Sequence, residues 1–156
     1  MPAMSTARAA VELAATAAEI ERRWADPAGW GAFVDGFDHL AEADPAWPAP
    51  GARLVWDSHP GGRGRVREQV LSAAPGAELV VAVEDPQLRG TQRLAFKPLA
   101  GGRLGVSLEL DYVLLRRGPF MLVADPLFVR RALRDSLRRT LTALAAVSAG
   151  SAAGRP

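Results

Sequence analysis

The sequence has no cysteine and no asparagine, a single lysine (Lys97), a single tyrosine (Tyr112) and two histidines. Without cysteine there can be no disulfide, thiol nucleophile or thiolate metal site. His39 and His59 stand in no HExxH or comparable ligand spacing, so no metal centre is expected. "GGRGR" (61–65) is too short and wrongly placed for a phosphate loop and reads as a hairpin turn, so no cofactor is expected. No run of 18 apolar residues exists, which excludes a spanning helix. In the alanine-rich start, Arg8, Glu12 and Glu19 interrupt what would be the apolar part of a signal peptide, so the expected location is the cytoplasm. Positive charge is also scarce in net terms, at only +2. The pI of 9.9 reflects arginine, which does not titrate below pH 12, and nucleic acid is not an expected partner. Arginine-, alanine- and glycine-rich usage without asparagine resembles that of a GC-rich bacterial genome.

What is present is an ordinary globular balance over 156 residues, 49% hydrophobic and 23% charged, about one domain. Residues 1–150 are read as that domain and 151–156 as a disordered tail. Residues 7–14, "ARAAVELA", alternate small or apolar residues with Arg8 and Glu12, the period-two signal of a half-buried strand. Thr16 and Glu19 form a capping box for a helix that runs to about Trp24. "ADPAGW" opens a second short helix, with Asp26 as N-cap and Pro27 at the first helical position. Strands are then expected in "FDHLAEAD", "ARLVWDS", "RVREQVLS", "ELVVAVE", "LRGTQRLAFK" and "RLGVSLELDYVLL", joined by short turns and therefore antiparallel. "GPFMLVA" (118–124) reads as one further turn before the last helix.

That helix starts near Pro126 with Asp125 as cap. Leu133, Leu137, Leu141, Leu144 and Val147 share one face, and Arg130, Arg131, Arg134, Arg138 and Arg139 lie on its flanks and back as a solvated face. Each fully buried leucine contributes about 1.5–3 kcal/mol, and the only large apolar surface available to them is the inner face of the sheet. The fold class is therefore α+β. A curved antiparallel sheet of six or seven strands wraps around a long C-terminal helix, with two short helices after the first strand.

The stretches "AAVELAATAAEIERRWADPAGWGAFVDGF", "VLSAAPGAELVV", "LAFKPLAGGRLGVSLEL" and "PLFVRRALRDSLRRTLTAL" resemble the START-like (SRPBCC) superfamily with its helix-grip fold. The likeness is to its polyketide cyclase/dehydrase and lipid-transport branch, over about residues 7–148. Gly101-Gly102-Arg103 departs from that family's Gly-Gly-Thr at a turn. The resemblance implies a deep cavity between sheet and long helix, with the two short helices at its mouth. A rigid empty apolar hole costs about 24 cal/mol per Å3, so such a hollow implies a guest. The implied activity is cyclase/aromatase-like, orienting a hydrophobic or aromatic substrate for cyclisation or dehydration. A non-catalytic carrier or sensor and a protein- or ribosome-interaction module are the rivals, and a homodimer is compatible with any of them.

Tyr112 shares parity with Leu104, Val106, Leu108 and Leu110 and is expected to face inward, as a proton relay or as a core tyrosine. The strand "RVREQVL" is ambiguous. Val66 and Val70 facing inward would bring Glu68 with them, whereas Leu71 inward would bring Arg65, Arg67 and Gln69. Some aromatase/cyclases of the superfamily place an arginine of this strand in the pocket, so Arg67 joins Tyr112 as a candidate catalytic residue. Candidate ligand-binding positions are Trp30, Phe33, Trp56, Glu68, Gln69, Gln92, Phe96, Leu108, Leu110, Phe128, Leu133 and Leu137. His39, a general-base candidate with Asp38 beside it, and His59 are read as surface residues.

Overall fold

The computed structural model describes residues 4–115 and 125–153, with side chains to 149, so the expected turn at 118–124 lies outside the described residues. Alternation of Ala7, Ala9, Val11 and Leu13 makes β1 (Ser5–Leu13), with Ala7, Ala9 and Leu13 buried. Thr16 then stops the strand and starts α1 (Ala17–Trp24). Its hydroxyl accepts the Glu19 N–H at 3.2 Å, and the Glu19 carboxylate accepts the Thr16 N–H at 3.0 Å, so the capping box forms. Pro27–Ala32 is a 3-10 helix in which Asp26 takes the N-cap position without a side-chain capping bond.

The chain then meanders through β2 (Phe37–Ala43), β3 (Arg53–Ser58), β4 (Arg65–Ala74), β5 (Glu78–Glu84), β6 (Leu88–Pro98) and β7 (Leu104–Leu114). The seven strands form one antiparallel sheet in the order β1-β7-β6-β5-β4-β3-β2, so the first strand docks beside the last. Gly90 in β6 is needed for this pairing: a Cβ there would run into the carbonyl oxygen of Asp111 on β7. Only glycine admits so close an approach of two backbones.

The last helix, α2 (Pro126–Ala153), closes the sheet. Leu137, Leu141 and Leu144 are buried, with Leu133 and Val147 partly buried beside them, and the helix lies mainly along β1. It continues to Ala153, three residues into the segment expected to be disordered, because the alanines there favour propagation of an existing helix. The expected helix-grip architecture is the observed one.

Candidate functional site

The facing of β4 decides the chemistry of the interior. Val66 and Val70 are buried, and Glu68, on the same parity, is buried with them at 6% exposure. Arg65 and Arg67 are exposed and Gln69 is half-buried, on the outer face. Leu71, which suggested the opposite facing, is 52% exposed. It sits at a register shift where Val70 pairs Val81 and Ser72 pairs Val80, so it is the extra residue of a β-bulge and has no say in the parity. Arg67 and Gln69 therefore do not reach the interior. They border an open groove of about 720 Å3 on the outer face, together with Arg53, Glu84, Arg89 and Thr91.

Inside, Glu68 lies across from Leu54 of β3 and Val83 of β5. Its Oε2 accepts the indole N–H of Trp56 at 2.7 Å, while its Oε1 is buried with no hydrogen-bond partner. Arg63 enters from the β3–β4 turn. Its Nε donates to Asp85 at 2.8 Å and its guanidinium lies 5.9 Å from the centre of the Trp56 ring. Asp85, in the β5–β6 turn, is itself buried and also accepts the N–H groups of Gln87 and Leu88 at 2.8 and 3.0 Å. Arg63 is thereby held in one orientation, and its Nη2 is buried without a partner. Burial pushes the Glu68 carboxyl above the usual range, because an isolated carboxylate is poorly solvated there. The Trp56 bond and the Arg63 charge pull the other way and do not overcome it.

Both unpartnered groups border one small cavity of about 40 Å3 between the sheet, the 3-10 helix and α2. Of the positions expected to bind ligand, Trp30, Trp56, Glu68, Gln92, Leu108 and Leu137 border it. Arg63, Asp35, Ser136 and Thr140 also border it and were not anticipated from the sequence. Asp35 clamps the last two, together with Arg139, beside the cavity. Asp35 accepts the Ser136 hydroxyl at 2.7 Å and two bonds from Arg139 at 3.0 Å each, while its own N–H donates to Thr140 at 2.9 Å.

The remaining expected positions lie elsewhere. Tyr112 and Leu110 are buried on the inner face but are not among the residues bordering this cavity. Phe33 is buried against Trp24, with ring centres 5.6 Å apart, in an aromatic cluster that also holds Trp30 and Trp47. The indole N–H groups of Trp30 and Trp47 both donate to the Trp24 carbonyl, at 3.1 and 3.2 Å. Phe96 borders a second, mainly apolar cavity of about 130 Å3 beside Leu79 and Leu94, with Trp24 common to both cavities. Leu133 is partly buried against the core, and Phe128 is 67% exposed, so it does not line the interior. His39 is exposed, within 3.0 Å of both Asp38 and Asp57, and His59 is exposed as well.

The resemblance implied a deep hollow; the described residues enclose one far smaller. Leu, Val and Trp side chains fill most of the space between sheet and helix.

Many solved structures share this architecture. Among them are the di-domain ARO/CYC StfQ from the steffimycin biosynthetic pathway (15% identity, TM-score 0.76, 96% of this chain and 52% of that one), the Zhui aromatase/cyclase from Streptomyces sp. R1128 (17%, 0.72, 97% and 94%) and a START superfamily protein from Mycobacterium smegmatis (16%, 0.71, 93% and 97%). No curated protein sequence matches the chain. The family described as "Polyketide cyclase / dehydrase and lipid transport" matches residues 4–149. The seven-stranded sheet closed by α2 and this match over nearly the whole length together show that the chain belongs to that family.

Proposed function

We propose that the protein takes an apolar small molecule bearing carbonyl or hydroxyl oxygen into the space between sheet and α2, and promotes its cyclisation or dehydration. The observation that carries this reading is that Arg63 and Glu68, whose Nη2 and Oε1 are buried and unpartnered, border one cavity. Buried polar groups are ordinarily satisfied, so two such groups on residues of one cavity call for a polar partner within it. Glu68, whose hold on its proton burial strengthens, can take a proton up and give it back; Arg63, held by Asp85, presents fixed positive charge.

Aldol ring closure moves one proton from the carbon beside one carbonyl to the oxygen of another, with no net loss of atoms. A single carboxyl cycling between its two forms can carry that proton, while Arg63 stabilises the developing enolate oxygen. Trp56 and Trp30 supply flat apolar walls for an aromatic or folded chain. Tyr112, buried away from these groups, is assigned a packing role in this scheme.

The family's description also includes lipid transport, and the absence of histidine among the residues bordering the cavity favours a non-catalytic carrier as a second reading. Among the described residues no helix is long and apolar enough to cross a membrane. A cytoplasmic setting suits either reading.

Because Trp56 bonds to Glu68, tryptophan fluorescence is a direct reporter. Titration with poly-β-ketone or hydroxy-aromatic compounds should change it, whereas matched hydrocarbons should not. Glu68→Gln should lower any ring-closing turnover about 10²-fold or more while retaining binding. Arg63→Gln should weaken binding as well. Binding without turnover would select the carrier, and unchanged binding and turnover in both folded variants would overturn the assignment.

A further inference from the structure

The first turns of α2 are unlike the rest of the helix. Its first buried residue is Leu137, and before it Leu127 and Phe128 are exposed at 61% and 67%. At 100° per residue, Leu127, Arg131, Arg134 and Arg138 fall in one stripe, at spacings of four, three and four, with Phe128 beside it. All three arginines are exposed. Arg134 has Asp135 at 3.9 Å, whereas Arg131 and Arg138 have no carboxylate partner among the described residues. Asp125 is occupied in capping, its carboxylate accepting the Leu127 N–H at 2.9 Å. The solvent side of the helix tip is thus two large apolar side chains followed by a row of cations.

We infer that this tip docks on an anionic lipid bilayer surface, with Phe128 and Leu127 set among the headgroups and Arg131, Arg134 and Arg138 against lipid phosphates. The order of residues suits that occupant. Apolar side chains lead and long cationic ones follow one to three turns behind on the same side, so that a single face offers both apolar area and attraction to anionic headgroups. A protein partner would ordinarily need a complementary patch of about 800 Å2, far broader than two side chains at a helix end. A nucleic acid would take the arginines but leaves Leu127 without a purpose. The inference does not depend on the Glu68 site, although docking there would bring an apolar compound to the clamp formed by Asp35, Ser136 and Arg139.

The test is co-sedimentation of the full chain with vesicles of phosphatidylcholine alone and of phosphatidylcholine with phosphatidylserine, at low and high salt. The protein should pellet with the anionic vesicles only, and less so at high salt. Arg131→Gln with Arg138→Gln should weaken partitioning about twenty-five-fold, at about fivefold per arginine. Leu127→Ser with Phe128→Ser should weaken it tenfold or more, with unchanged melting since both residues are exposed. Pelleting that is equal on the two vesicle types or insensitive to both variants overturns the inference. So does its absence from vesicles while polyanionic RNA or an acidic protein is retained through the same arginines.

Discussion

Glu68 is the residue on which the interior turns, and its protonation links site chemistry to stability. Its folded pKa is raised by burial, so the folded chain holds a proton that the unfolded chain releases at about pH 4.3. Stability contributed by that proton is fully present below the unfolded value and declines as pH rises toward the folded one. Glu68→Gln cannot ionise and can still accept the Trp56 N–H. It should match the wild type in acid and melt higher than the wild type at neutral and alkaline pH, a comparison made by thermal melts across pH. Glu68→Leu instead strands the indole N–H and should lose about 1–3 kcal/mol relative to the Gln variant. Part of this site could be read from the sequence, since Val66, Glu68 and Val70 share a parity, as do Leu54 and Trp56. The misleading signal was Leu71, whose hydrophobicity argues for the opposite facing until the bulge is seen. Arg63 was hidden for another reason: its role depends on Asp85, 22 positions away across two turns, and no periodicity joins them.

Among the elements, the 3-10 segment and α2 are joined by Asp35 rather than by apolar burial alone. Burial disfavours the Asp35 carboxylate, but the bonds from Arg139 and Ser136 outweigh it and leave its pKa below the ordinary range. That stabilisation is present above the unfolded value of about 3.9 and is lost as pH falls through the folded one. Asp35→Asn should therefore lose about 1 kcal/mol at neutral pH, modest because Arg139 is largely exposed, and the difference should vanish in strong acid. Denaturant melts at several pH values would show it, and equal loss at every pH would remove the charge from the account. On β6, Gly90→Val should destabilise by about 3 kcal/mol, since the added side chain must push β7 away. Elements as such were legible in the sequence: the capping box, the strand alternation and the leucine spacing of α2 each have local causes. The Asp35 clamp was not, because it joins residues 101 to 105 positions apart whose polar side chains read singly as surface.

At the scale of the whole molecule, the interior is too full for the guest assigned to it. A cavity of about 40 Å3 holds a water or two, whereas small-molecule sites occupy about 300–1,000 Å3. The state that binds must therefore differ from this one, and the least burdensome difference is at α2, whose first half is poorly buried and held near the cavity by the Asp35 clamp. Binding that waits on such an opening has a kinetic signature: the observed rate rises with ligand concentration and then levels at the opening rate. Stopped-flow tryptophan fluorescence with any ligand found by titration should show that plateau. Asp35→Asn, by weakening the closed state by about 1 kcal/mol, should raise the plateau about fivefold. Arg63→Gln acts within the site and should weaken affinity while leaving the plateau where it was, which separates the gate from the chemistry. A rate that climbs linearly to the highest concentration reached, with no response to Asp35→Asn, would mean that the ligand enters without moving α2 and that the space it fills is made elsewhere.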